Sequence, residues 1–96
     1  NPMSDGNVIR VPIPQLTTER RQQLAKQVAQ KSEEGKVAVR NIRRETLDKM
    51  RSMQKRGEMS EDDLRRFQDQ LQKITDAHIA QIDELNKAKT KEVMEE

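Results

Sequence analysis

After Pro14 the chain contains no further proline, and apolar residues recur every three or four positions across two long stretches that Gly57 separates. This constrains the fold more than any other feature, because proline breaks a helix interior and an apolar spacing of three and four marks one helix face. Leu24, Val28, Ser32, Gly35, Val39, Ile42, Thr46, Met50 and Met53 carry the spacing in the first stretch. Leu64, Phe67, Leu71, Ile74, His78, Ile82 and Leu85 carry it in the second. Sheet architectures fit poorly, since the chain has one aromatic residue and sheets bury aromatic and β-branched side chains heavily. The fold class predicted is all-α, with a thin core.

Local signals set the ends of these helices. Thr17 or Thr18 can cap the first, and Gly57 favours the left-handed backbone that closes a helix, with Lys55 and Arg56 near the negative end of its dipole. Ser60 can cap the second, Glu61, Asp62 and Asp63 fill its first turn, and Met59 with Leu64 stand at staple positions. The spacing predicts helices over about 18–56 and 61–94, joined by a turn at 57–60. A linker that short folds them back as an antiparallel hairpin over residues 17–96. Five acid-to-base pairs four residues apart support the helices: Glu45 with Lys49, Glu61 with Arg65, Asp62 with Arg66, Asp69 with Lys73, and Asp83 with Lys87. Residues 1–16, with Pro2, Gly6, Pro12 and Pro14, read as an extended hinge segment, most clearly from Val8 to Pro14.

Two amphipathic helices cover only the parts of their stripes that face each other, so a third surface is missing. The hairpin is therefore expected to recruit another helix or to self-associate into a four-helix bundle. No apolar run approaches a membrane span, the start of the chain has no signal-peptide pattern, and the absence of cysteine excludes disulfides and thiolate chemistry. The expected location is cytoplasmic, away from membranes.

Charge is unevenly placed. Residues 31–56 carry nine basic and four acidic side chains, whereas residues 57–96 carry six and eleven. On a helical wheel of about 100° per residue with Lys36 at zero, Arg40 lies at about 40°, Arg43 at about 340°, Arg44 at about 80° and Arg51 at about 60°. The apolar stripe beside them centres at about 270° on the same wheel. Planar guanidinium forks suit phosphate oxygens, so Lys36, Arg40, Arg43, Arg44 and Arg51 could track a nucleic-acid backbone. The same row also reads as a solvated face paired with the acidic second helix. His78, the single histidine, has no metal-binding companions and reads as a packed or half-buried residue of the second stripe. No nucleophile and base, phosphate loop or carboxylate cleft is recognisable, so neither catalysis nor a cofactor is expected.

Four segments in order resemble one family. Ile9-Arg10-Val11-Pro12-Ile13-Pro14 with Leu16-Thr17-Thr18-Glu19-Arg20-Arg21, then Val37-Ala38-Val39-Arg40-Asn41-Ile42-Arg43-Arg44, then Ser60-Glu61-Asp62-Asp63 with Arg65-Arg66, and Gln72-Lys73-Ile74-Thr75-Asp76 are similar to bacterial ribosome recycling factors. The resemblance implies a long three-helix bundle with a small β domain inserted between its first two helices. It also implies an activity: splitting ribosomes into subunits after termination, together with elongation factor G and GTP. The family's main contact with large-subunit ribosomal RNA then falls on Arg40, Arg43 and Arg44, with Lys36, Arg51 and Arg10 as further RNA-binding candidates. By the same resemblance this chain corresponds to the second and third bundle helices and a returning hinge, without the first helix and the β domain. A coiled-coil hairpin that binds no RNA is the alternative reading.

Overall fold

The computed structural model describes residues 17–95. The hinge reading at 1–16, and Arg10 with it, lies outside the described residues. Two helices, α1 (Thr18–Lys55) and α2 (Glu61–Glu95), run antiparallel and pack on each other, with no strand among the described residues. Each end has a local chemical cause. Thr17 is the N-cap of α1: its Oγ1 accepts from the Arg20 amide at 3.0 Å, satisfying one of the donors that the first turn leaves free. At the other end Gly57 has φ +79°, its amide donates to Gln54 O at 3.0 Å, and the Glu58 amide donates to Met53 O at 2.9 Å. That pair of bonds is the Schellman closure, and the left-handed residue in it is where lacking a Cβ matters. Ser60 then caps α2, its Oγ accepting from the Asp63 amide at 3.0 Å, with Glu61, Asp62 and Asp63 in the positive first turn.

The seam between the helices is thin and partly polar. Leu47 is the buried hydrophobe, 8% exposed, and Thr75 the buried polar residue, 4% exposed. The Thr75 hydroxyl donates to Leu71 O at 2.8 Å and the Ser32 hydroxyl to Val28 O at 2.9 Å, so each seats a polar side chain near the seam with its proton satisfied within its own helix. At the open end of the hairpin Arg21 Nη1 donates to Val93 O at 3.2 Å, meeting a carbonyl in the last turn of α2.

Packing changes the phase expected from the sequence. The half-buried and buried positions of α1 keep every expected stripe residue except Ile42 and add Arg21, Ala25, Lys36, Arg43, Leu47 and Gln54, so that together they centre at about 310° on the same wheel, about 40° from the stripe expected. On α2 the seam runs through Leu64, Leu71, Thr75, Ile79, Ile82, Asn86 and Val93. Ile42, Ile74 and Leu85 are instead 62%, 57% and 69% exposed. His78 is exposed as well, its Nδ1–H donating to Ile74 O at 2.9 Å, which corrects the half-buried reading. The reason is that α2 has an apolar arc wider than one neighbouring helix covers, and contact with α1 takes only one edge of it.

The ion pairs also differ from those expected. Arg65 meets Asp62 at 3.9 Å and Arg66 meets Asp63 at 2.8 Å, each three residues back rather than four, while Asp83 pairs with Lys36 of α1 rather than with Lys87. Exposed same-helix pairs are nearly equal in energy at either spacing, so local rotamers choose between them.

Candidate nucleic-acid interface

The seam divides the hairpin into two long sides. On one, an open groove with room for about 620 Å³ is lined by Leu24, Val28, Gly35, Ile82, Leu85 and Val93 among others. Ile42 follows Leu24 by eighteen residues, and Phe67 precedes Leu85 by the same interval, five whole turns in each case, so both lie on the groove side. Phe67 is 36% exposed, with the Arg66 guanidinium 5.2 Å from its ring centre.

The other side carries the cations of α1. Arg40, Arg44 and Arg51 are exposed, whereas Arg43 and Lys36 are half-buried where α1 meets α2. From Lys36 to Arg51 the row spans about 22 Å along the axis at about 1.5 Å per residue. Its members differ in what already holds them. Arg44 Nη1 donates to Asn41 Oδ1 at 2.8 Å, which orients its fork through a neutral neighbour. Arg40, Arg43 and Arg51 make no side-chain hydrogen bond or ion pair among the described residues. Lys36 is engaged twice, by Asp83 Oδ1 of α2 at 2.5 Å and by Glu33 Oε1 of its own helix at 3.4 Å, with 17% of its side chain exposed. The hydrogen bond to Asp83 outweighs partial burial and raises the Lys36 pKa above its ordinary value.

The five α1 positions anticipated from the sequence thus lie along one helix flank, but four guanidinium groups are available to an anion and one ammonium is occupied. Asp83 and Asn41 are the residues that sequence reading missed. Asn41 sits three positions before Arg44, a spacing at which side chains on a helix meet, so its signal was present. Asp83 lies 47 positions from Lys36, and only the register of the hairpin joins them. An unsatisfied polar atom also lies on the seam: Asn86 Oδ1 is buried without a hydrogen-bond partner among the described residues. The described residues contain no cluster suited to a metal ion, and no described helix is long and apolar enough to cross a membrane.

Comparison with known proteins bears on this surface. Residues 1–94 match the family described as Ribosome recycling factor. The chain is 56% identical over 94 residues to the ribosome-recycling factor of Geobacillus thermodenitrificans, covering 98% of this chain and 51% of that protein. It is 56% identical to that of Ligilactobacillus salivarius, covering 98% and 50%, and 53% identical to that of Bacillus licheniformis, covering 98% and 51%. The chain spans about half the length of the curated relatives it matches.

Proposed function

The chain belongs to the ribosome recycling factor family, and on that premise we propose that it binds the large ribosomal subunit by gripping ribosomal RNA phosphates with Arg40, Arg43, Arg44 and Arg51. One observation carries the reading: these arginines share one flank of α1, and none of them has an anionic partner among the described residues. A solvated face built only for helix stability would pair such charges with the acidic α2. Here Lys36 alone of the row is paired in that way. The guanidinium fork supplies two parallel donors to a phosphate, and the helix between Lys36 and Arg51 holds the forks in line.

In the parent activity the RNA-bound bundle is a rigid body on which elongation factor G acts, through the β domain that the family resemblance implies, to part the subunits. This chain supplies the gripping half of that sequence. The reading assigns these residues no bond-making or bond-breaking chemistry. Arg10 belongs to the proposed contact on the resemblance alone.

The apolar side has a different role in this reading. In the three-helix bundle that the family resemblance implies, the first helix would cover the strip of Ile42, Ile74 and Leu85. In the 96-residue chain alone a second copy covers it, since the hairpin leaves these three side chains more than half exposed beside an open apolar groove. Sedimentation at micromolar concentration should give a species heavier than a single chain; a cooperatively melting monomer refutes self-association and leaves the RNA reading standing.

The RNA reading is tested by pelleting with purified large subunits. Arg43→Ala and Arg40→Ala should each weaken binding by about 1–3 kcal/mol, the range for charge-assisted hydrogen bonds. Alanine favours helix, so the helical signal should persist. If both variants bind like the exposed control Glu84→Ala, the row is a solvated face and the coiled-coil alternative stands.

A further inference from the structure

Lys36 stands at the head of the arginine row, one turn before Arg40 and two before Arg43, and has the sequence position of a phosphate ligand. Its surroundings contradict that role. The ammonium is held between Asp83 of the opposite helix and Glu33 of its own, and most of the side chain is out of water. Asp83 is 53% exposed at its side chain, so the carboxylate lies at the lip of the seam with its other lone pairs facing the solvent where a phosphate would arrive.

From this geometry we infer that Asp83 is a positioning and specificity residue of the RNA-binding side: its carboxylate occupies Lys36 in place of a phosphate and restricts the grip to the arginines. The inference rests on the RNA reading above and adds a residue of α2 to it. Two physical consequences follow. Lys36 releases no counterion when RNA binds, because its counterion is part of the protein. The Asp83 charge also repels a backbone displaced toward α2, so the phosphate path is kept over Arg40, Arg43, Arg44 and Arg51. Among the described residues, no other member of the row is bridged to α2. The device therefore acts at one end of the row, where it fixes how far the RNA ridge extends.

Salt dependence distinguishes this from a merely structural bridge, since the slope of log affinity against log salt counts the phosphates a protein neutralises, at about 0.7–0.9 per contact. The 96-residue chain is titrated with purified large subunits across a salt series, with helical content followed by circular dichroism. Asp83→Asn should release Lys36 from α2 and leave it only the exposed Glu33, a solvent-screened contact that a phosphate can displace, so binding should tighten severalfold at low salt and the slope steepen by about 0.7–0.9. Lys36→Met in the otherwise unchanged chain should leave the slope where it was. Combining Lys36→Met with Asp83→Asn should remove the steepening. A weaker slope in Lys36→Met, or an unchanged one in a folded Asp83→Asn, overturns the inference. Should Asp83→Asn fail to form the hairpin, Lys36→Met decides alone by the same criterion. The variant combining Arg40→Ala with Arg44→Ala separates the two levels. If it binds as the parent does, the RNA reading falls and carries this inference with it; if it binds weakly while Asp83→Asn leaves the slope unchanged, only the role of Asp83 is refuted.

Discussion

The two sides of the hairpin are built from the same two helices, yet they present opposite kinds of incompleteness. The groove side leaves Ile42, Ile74 and Leu85 in water, a free-energy cost that any covering apolar surface would relieve without regard to detail. The other side leaves guanidinium groups without anions, and their demand is specific in charge, geometry and spacing. What separates the two sides is a seam only one helix layer deep, in which Leu47 and Thr75 are buried and Lys36 is tied to Asp83. A surface that needs covering and a surface that needs a ligand can thus be told apart by whether the unmet partner is an area or a set of atoms.

The comparison breaks most sharply at the seam itself. Leu47→Ala should cost about 2–4 kcal/mol, as large-to-small core changes do, and thermal melting should show the loss at every protein concentration. Leu85→Ala, on the groove side, should show an effect that grows with concentration, because in the proposed self-association it removes contact between copies and not within one. Equal, concentration-independent losses would mean that Leu85 is part of the hairpin's own core. Next in size are the arginine substitutions, at about 1–3 kcal/mol of subunit binding each, with melting unchanged for Arg40. Within that pair Arg43 tests the seam more finely than Arg40, since its half-buried stem makes some loss of packing accompany the loss of its charge. Smallest is a gain: a Cβ at Gly35 would meet Ile82 Cδ1 at 3.5 Å, an ordinary contact. Gly35→Ala should therefore raise stability by about 0.5–1 kcal/mol through helix propensity. A loss on melting would show that the helices approach more closely at this level than that contact allows.

Much of the fold was legible because its causes are local. Thr17, Gly57 and Ser60 act on the two or three residues beside them, and a connection of about four residues leaves few alternatives to an antiparallel return. The phase of α2 was not legible in the same way. Phe67, Ile74, His78 and Leu85 repeat as regularly as Leu71, Thr75, Ile79 and Ile82, and nothing in a single helix says which edge of a broad apolar arc meets its neighbour. Buried Thr75 shows the difficulty, because a hydroxyl that back-bonds to Leu71 O is compatible with a seam that hydropathy would never assign it. The arginine row was visible as a cluster, but the RNA-binding role proposed for it draws on the resemblance to a family, since charge spacing alone also fits a solvated face.

The sequence by itself determined two long helices, their caps, the glycine that ends the first, the all-α class, and the concentration of positive charge on one helix. These follow from periodicity and from interactions that span four residues or fewer. Only the tertiary structure decided which apolar residues are inside and which cation of the row is already engaged. Both depend on the rotation and register of one helix against the other, which bring Asp83 to Lys36 across 47 positions of chain and turn Ile42, Ile74 and Leu85 outward. Rotation and register are set by the sum of many weak contacts along the seam, and no short segment contains that sum.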